Sequence, residues 1–278
     1  MTRPTGIPWH WPRSLPLPLR LGWFFGLLLL VTLPFGILVR VVTGSFALAW
    51  VPLYGVLLWG MGRWAAETRQ QRDPWGYYGL TGSRLFWQEL GLAFGLGLGG
   101  LFLLFGLEGI LGWLSWQSVA SLDIWVGLLN GLLVGPAVAL VEELLFRGWL
   151  LQEWQIEWGM ASAGGGTAVL FAVAHFLKPL EVIIQTWPQF LGLFLMGWIL
   201  AYGRQVGQGR LGLALGLHAG WIAGITWVNH TDWIRYTDRV PTWITGIGGN
   251  PLAGVMGILF LGLTAGVLTW MKSKPLNP

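Results

Sequence analysis

Long apolar segments separated by short polar stretches recur along the chain. A helix that crosses a lipid bilayer needs about 20 mostly apolar residues, and eight segments have roughly that character. They cover residues 21–42, 46–62, 86–107, 126–150, 164–178, 185–203, 211–229 and 250–271. The pattern predicts an all-α, polytopic integral membrane protein with about eight transmembrane helices in one bundle.

The composition agrees with a membrane location. Of the 278 residues, 54% are hydrophobic and 10% are charged. A soluble domain usually has about 25% charged residues, so the charges here are too few to cover a soluble surface. Disorder is also excluded, because disordered chains have low hydrophobicity and high charge. The chain has no cysteine, which excludes a disulfide framework, cysteine-based zinc sites and thiol nucleophiles.

The basic residues predict the orientation, because cytoplasmic loops of membrane proteins are enriched in Lys and Arg. With eight spans both termini lie on one side, and eleven basic residues fall there: Arg3, Arg13, Arg20, Arg63, Arg69, Arg72, Arg84, Arg204, Arg210, Lys272 and Lys274. Three fall on the other side: Lys178, Arg235 and Arg239. We therefore expect both termini to be cytoplasmic. The net charge of +4 reflects topology and attraction to anionic lipid rather than binding of nucleic acid.

The pattern also divides the chain. Residues 1–20 hold five prolines and are predicted to form a non-helical tail. The first apolar segment is too long for a signal peptide, and no cleavage site of small residues follows it, so we expect it to be retained. Residues 21–125 are predicted as N-terminal membrane helices, 126–230 as a core, and 231–278 as a loop with the last helix.

Tryptophan and glycine both fit a helical bundle in a membrane. Tryptophan favours the membrane–water interface, and six tryptophans near predicted span ends are interpreted as anchors: Trp113, Trp116, Trp125, Trp149, Trp154 and Trp158. Small residues let membrane helices approach closely, as in the run Gly95, Gly97, Gly99 and Gly100.

Ionisable side chains inside the predicted spans form one group. Such residues are costly in lipid and indicate a functional site by default. Glu142, Glu143 and Arg147 lie in the fourth span, His175 in the fifth and His218 in the seventh. A single cavity that collects them would explain how each is tolerated.

The spacing within the fourth span separates the two glutamates. Glu143 lies four residues before Arg147, which is the favourable helical arrangement for an ion pair. Glu142 is rotated by about 100° around the helix and cannot share the arginine equally. We interpret Glu143 and Arg147 as a bracing pair, and Glu142 as the carboxylate left to act as a general base on water.

At these residues the sequence resembles the CPBP family of intramembrane glutamate proteases, also called the Abi or CAAX-protease family. Glu142, Glu143 and Arg147 match its Glu-Glu-x-x-x-Arg motif, and Phe171 and His175 match its Phe-x-x-x-His motif. The resemblance covers about residues 126–230.

The resemblance implies a metal-independent endopeptidase without a cofactor, which hydrolyses a peptide bond of a peptide or membrane-protein substrate. Whether that substrate is prenylated stays open. By resemblance, Glu142 activates water together with His175, and His218 stabilises the oxyanion at the scissile carbonyl. The residues that would support the site are Glu143, Arg147 and Phe171.

The third motif of the family, His-x-x-x-Asn or Asp, is matched only in part. His218 is present, but Ile222 occupies the last position and cannot donate a hydrogen bond through its side chain. Asn229 lies two helical turns further along the same face, which is too far for us to expect a substitution. The departure leaves room for a catalytically degenerate membrane scaffold or partner-binding protein with the same fold.

Other chemistries fit less well. A metal site built from Glu142, Glu143, His175 and His218 stays open, since carboxylate and imidazole ligands bind several transition metals, although Arg147 would oppose a nearby cation. The His-Glu-x-x-His motif of zinc proteases is absent, as are the nucleophile motif of rhomboid-type proteases and paired aspartates within the spans. A transporter would require repeated halves, which the sequence lacks.

Overall fold

The computed structural model describes residues 14–274. About 80% of the chain is helical, which confirms the all-α prediction apart from two strands of three residues each. Two arginines of the predicted cytoplasmic side, Arg3 and Arg13, lie outside the described residues. The contacts divide the chain between Tyr77 and Tyr78 into two compact units. The domain boundaries expected at 125 and 230 stay predictions.

The first unit, up to Tyr77, contains α1 (Leu17–Thr43), α2 (Phe46–Arg63), a π-helical turn (Trp64–Thr68) and α3 (Pro74–Tyr77). Helix α1 begins four residues earlier than predicted, because Pro18 falls within its first turn, where proline is tolerated. The hydroxyl of Ser45 caps α2 by accepting a hydrogen bond from the amide of Leu48.

The second unit, from Tyr78, contains the remaining elements. They are α4 (Arg84–Ile110), β1 (Leu114–Trp116), α5 (Ser121–Glu143), a π-helical segment (Leu144–Leu150), α6 (Leu151–Ala174), α7 (Leu180–Thr186), α8 (Gln189–Val206), α9 (Gly212–Thr231), β2 (Ile234–Tyr236), α10 (Thr242–Thr245), two 3₁₀ turns (Ile247–Gly249 and Pro251–Ala253) and α11 (Val255–Ser273).

Among the described residues, four helical stretches are long and apolar enough to cross a membrane: Leu17–Thr43, Arg84–Ile110, Ser121–Ala174 and Val255–Ser273. The bent pair α7 and α8 would make a fifth if it forms one span. The protein is thus an all-α polytopic membrane protein. The count of eight spans stays a prediction, because α2 and α9 form helices where expected but fall outside this set.

Several predicted boundaries differ from the structure. The fourth and fifth predicted spans follow each other without a loop, in one helical stretch from Ser121 to Ala174. This stretch has a kink at Gly159, where φ is 79°. It ends at Ala174 rather than 178, ahead of Pro179. The sixth span is bent by 78° between α7 and α8, at a break that contains Pro188, since proline cannot continue the helical hydrogen bonds.

Helix α9 lies between α4 and α5 at very short distances. A Cβ atom added at Gly216 or Gly220 would clash with the carbonyl oxygen of Leu90 or Phe94 in α4. One added at Gly131 of α5 would clash with the carbonyl oxygen of Ala223. Small residues therefore set the distance between these three backbones. Of the glycine run predicted to serve this purpose, Gly97 makes such an approach, whereas Gly99 faces open space.

The loops at one end of the second unit are joined by an antiparallel pair of strands. Leu114 pairs with Tyr236 and Trp116 with Ile234, and the rings of Trp116 and Trp233 pack edge to face at 5.5 Å. One of the predicted anchors is different: Trp149 is fully buried. Its π-helical segment packs inside the protein, so this tryptophan is a core residue rather than an interfacial one.

Sequence analysis overlooked three further buried carboxyl groups among the described residues, which are those of Glu89, Glu108 and Glu153. Glu89 lies within the third predicted span and receives two hydrogen bonds from Arg210, at 2.6 and 3.0 Å. Glu108 is buried near the end of α4 close to Tyr236. Burial, followed by the proximity of Glu108, raises the pKa of the Tyr236 phenol above its ordinary value. Tyr236 therefore stays neutral at physiological pH.

The packing of α9 predicts the effect of adding one methyl group. Gly220→Ala should destabilise the protein, because the new Cβ meets the backbone of α4 and overpacking typically costs about 1–3 kcal/mol. Thermal unfolding in detergent should show a lower Tm. Gly99→Ala is the matched control. It meets no atom within 4 Å and should leave Tm unchanged or raise it, because alanine favours helix by about 1 kcal/mol. Equal Tm values for the two variants would contradict this packing.

Candidate active site

The predicted site residues come from three parts of the second unit. Glu142 and Glu143 end α5, and Arg147 lies in the π-helical segment that follows. His175 directly follows α6 as its C-cap residue, and His218 is buried in the first half of α9. Segments of π-helix are rare and frequently occur at functional sites. Sequence analysis had treated this segment as an ordinary α-helix.

The carboxylate of Glu143 joins two helices. Its Oε1 atom accepts a hydrogen bond from Arg147 Nη1 at 2.7 Å and another from His218 Nδ1 at 2.7 Å. All three side chains are almost fully buried. A carboxylate can only accept, so the imidazole of His218 carries a proton on Nδ1. This orients its other nitrogen, Nε2, away from Glu143.

Arg147 forms the expected ion pair with Glu143 and adds contacts that the sequence did not predict. Its Nη2 atom donates a hydrogen bond of 3.0 Å to the carbonyl oxygen of Gly197 in α8. Its guanidinium lies 4.4 Å from the ring centroid of Phe171, a cation–π distance. The carbonyl oxygen of Arg147 in turn accepts a hydrogen bond from Arg204. Arg147 thus joins the end of α5 to α6 and α8.

His175 owes its orientation to the end of α6. The backbone amide of His175 bonds to Ala172, so the carbonyl oxygen of Phe171 is available to accept a hydrogen bond from His175 Nδ1 at 2.8 Å. This bond defines the tautomer and leaves Nε2 of a neutral ring as an acceptor. The ring of Phe171 packs 4.5 Å from the His175 ring and 5.9 Å from the His218 ring.

Glu142 is the carboxylate without an arginine partner. Its Oε2 atom lies 3.8 Å from His218 Nε2, and its side chain is 27% exposed. In the described part of the chain, no donor forms a hydrogen bond with this buried oxygen. The two glutamates therefore differ in their partners. Glu143 Oε1 is engaged with Arg147 and His218, whereas Glu142 forms no hydrogen bond with a described residue. The Oε2 atoms of both glutamates are buried without a hydrogen bond in the described part of the chain.

Glu142, His175 and His218 line the same cavity, which has a volume of about 320 Å³. Its wall also includes α4, α8, α11 and the loop before α11. Most of the lining is apolar, including Leu101, Leu104, Val138, Leu193, Met196 and Phe260. The structure thus brings together the three residues that were predicted to do the chemistry. The supporting residues Glu143, Arg147 and Phe171 lie directly behind them.

The cavity contains polar residues that sequence analysis missed. Gln189 at the start of α8 and Asn250 in the loop before α11 both line it. Neither belongs to a motif with a catalytic spacing. Asn250 was predicted as the first residue of the eighth span, but in the structure α11 begins only at Val255 and Asn250 caps the 3₁₀ turn before it. Ile222 lines the wall one turn beyond His218. Asn229 is exposed and is not part of the lining, in agreement with the expectation that it does not replace Ile222.

Metal binding has little support from the arrangement of side chains. Over residues 14–274, no three His, Cys, Asp or Glu side chains are grouped so that they could hold a metal ion. Arg147 occupies the position beside Glu143 that a cation would require.

The buried ion pair predicts that breaking it lowers the free energy of unfolding far more than breaking an exposed pair of the same chemistry. Arg147→Met leaves Glu143 with one partner, and removing one member of a buried pair typically costs about 3–5 kcal/mol. Arg63→Met breaks an ion pair of the same spacing, Arg63 with Glu67, whose side chains are 49% and 30% exposed. Such exposed pairs contribute about 0.2–1 kcal/mol.

The loss of unfolding free energy in each variant can be measured by denaturant titration in detergent, with tryptophan fluorescence as the signal. Comparable losses in the two variants would be inconsistent with a bracing role for Arg147.

The segment that holds these site residues is similar to a known protein family. Residues 123–223 match the family model described as type II CAAX prenyl endopeptidase, Rce1-like. No curated protein and no solved structure matches the chain. The matched segment runs from α5 to the middle of α9 and includes all six predicted site residues. Residues 123–223 are therefore similar to the type II CAAX prenyl endopeptidase family, as the motifs had indicated.

Proposed function

We propose that this protein is an intramembrane endopeptidase in which Glu142 activates the water that attacks a peptide bond. The observation that carries the proposal is the convergence of Glu142, His175 and His218 on one mostly apolar cavity. The family match supports a peptide hydrolase. The glutamate mechanism is our own inference from the geometry.

In the first step, water lies between Glu142 and the substrate. A proton moves from the water to Glu142 Oε2, a buried oxygen that has no hydrogen-bond partner among the described residues and belongs to a side chain lining the cavity. The water oxygen forms a bond to the carbonyl carbon, and the π electrons of the carbonyl move to its oxygen. His175 orients the water by accepting a hydrogen bond from its second O–H on Nε2, because His175 Nδ1 is engaged with Phe171.

His218 stabilises the negative charge on that oxygen when its imidazole is protonated on both nitrogens. Nδ1 then donates to Glu143 and Nε2 donates to the oxyanion.

In the second step, the tetrahedral intermediate collapses. The carbonyl double bond re-forms, the carbon–nitrogen bond breaks, and the proton held by Glu142 moves to the departing nitrogen. The products are a carboxylic acid and an amine, so the single water molecule is fully accounted for. Glu142 returns to its ionised form and is ready for a second water.

A second candidate rests on Ile222. This residue places an apolar side chain on the cavity wall beside His218, and a degenerate site would tolerate that. In this reading the protein binds a membrane partner without cleaving it, and the charges at Glu142 and His175 have no bearing on its function.

A hydrolysis assay on the purified chain separates these two functions. The probe is a peptide that carries a farnesylated cysteine followed by three residues, and release of the tripeptide is followed by mass spectrometry. Glu142→Gln should lower kcat by about 10³-fold, and His175→Ala by about 10²-fold, within the range for general acid–base catalysis. Glu181→Gln is the matched control, because this glutamate is exposed on α7.

Hydrolysis that survives both site substitutions would sink the glutamate mechanism. A chelator should leave the rate unchanged, because no step involves a metal ion, and loss of activity that zinc restores would argue for a metal site instead.

The apolar wall predicts a preference among substrates. A farnesylated peptide should have a KM at least about tenfold lower than the same peptide with an unmodified cysteine, because burying each CH₂ group contributes about 0.8 kcal/mol. Leu193→Gln, which places a polar amide on the wall, should raise the KM of the farnesylated peptide and leave the KM of the unmodified peptide nearly unchanged. Equal KM values for the two peptides would contradict an apolar binding site.

A further inference from the structure

The loop between α10 and α11 packs directly on two helices. A Cβ atom added at Gly192 of α8 would clash with the carbonyl oxygen of Leu252, and one added at Gly257 of α11 would clash with that of Pro251. Gly246, with φ of 136°, lies at the start of this loop in a conformation that other residues rarely adopt. Close backbone contact on both sides holds the loop in one position.

Asn250 is the residue that this loop presents to the cavity. Its Oδ1 atom accepts a hydrogen bond of 2.9 Å from the amide of Leu252, which caps the short turn that follows. The side-chain oxygen is therefore engaged and its orientation defined, whereas Nδ2 has no hydrogen-bond acceptor among the described residues. Asn250 lines the same cavity as Glu142 and His218.

Attack on a peptide carbonyl places negative charge on its oxygen, and donors held in advance stabilise that charge best. His218 offers one donor. Ile222, on the same wall, offers none. Gln189 is the other uncharged amide of the lining, but no hydrogen bond with a described residue orients its side chain. Asn250 has a free amide group on a rigid loop.

We propose that Asn250 is a catalytic residue whose Nδ2 group donates a hydrogen bond to the scissile carbonyl oxygen as it becomes negatively charged, beside His218. The inference rests on the proposed hydrolysis. It adds a residue from beyond the matched segment 123–223. No proton is transferred by Asn250. It holds the oxyanion while water adds to the carbon and until the carbon–nitrogen bond breaks.

Two substitutions test the donor separately from the cap. Asn250→Asp keeps the size of the side chain and an oxygen for Leu252, but an ionised aspartate has no hydrogen to donate. Asn250→Ser also keeps a capping oxygen and introduces no charge. Its hydroxyl is one bond shorter than the amide and is held at the amide of Leu252, so it does not reach the position of Nδ2. Both variants should lower kcat by about 10²-fold, the usual cost of removing one oxyanion donor, with KM changed less than about threefold. Asn229→Ser, on the exposed end of α9, is the matched control and should retain full activity.

The farnesylated peptide is the probe, and Tm in detergent verifies that each variant is folded. Wild-type kcat in both variants at position 250, or a loss confined to KM, would overturn the role of Asn250 while Glu142→Gln stays inactive. If instead Glu142→Gln is as active as the wild type, the proposed hydrolysis mechanism fails, and the role of Asn250 fails with it.

Discussion

One buried carboxylate oxygen connects the parts of this site. Glu143 Oε1 accepts hydrogen bonds from both Arg147 and His218, so a single atom links the end of α5 to the π-helical segment and to α9. Removing both hydrogen bonds would leave a charge with no solvent to compensate it. The arrangement is therefore specified closely. The arginine orients the carboxylate, the carboxylate orients the imidazole, and the imidazole directs its second nitrogen towards Glu142.

This link requires helices that nearly touch. His218 reaches Glu143 because α9 packs against α4 and α5 through backbone contacts, which glycine and alanine allow and larger residues would prevent. Packing of this kind replaces the hydrophobic effect, which cannot drive association between helices that are already in lipid. The glycines that look like flexible positions in the sequence are thus the ones that determine the distances in the site.

The cavity is lined by a larger part of the chain than the segment that matches the family model. The matched residues provide the carboxylates and both imidazoles, whereas α4, α11 and the loop before α11 complete the wall. Part of the apolar surface, including Leu101, Leu104 and Phe260, and the amide of Asn250 come from these added elements, whereas other apolar residues of the wall lie within the matched segment. The site is therefore assembled from both parts of the chain.

The sequence by itself determined the class of the protein and predicted part of the candidate site. A low charge content cannot cover a soluble surface, and each charge kept within an apolar segment requires a partner, so Glu142, Glu143, Arg147, His175 and His218 could be identified from their positions alone. The ion pair between Glu143 and Arg147 was predicted from their helical spacing, and it forms although Arg147 lies in the π-helical segment.

The tertiary structure decided what depends on contacts between distant residues. It determined that His218 bonds to Glu143, that Arg147 reaches Gly197, and that Glu89 pairs with Arg210. It also decided that Trp149 is a core residue and that Asn250 faces the cavity. Local patterns carry periodicity and the cost of burial, whereas the partner of a side chain depends on which backbones can approach each other.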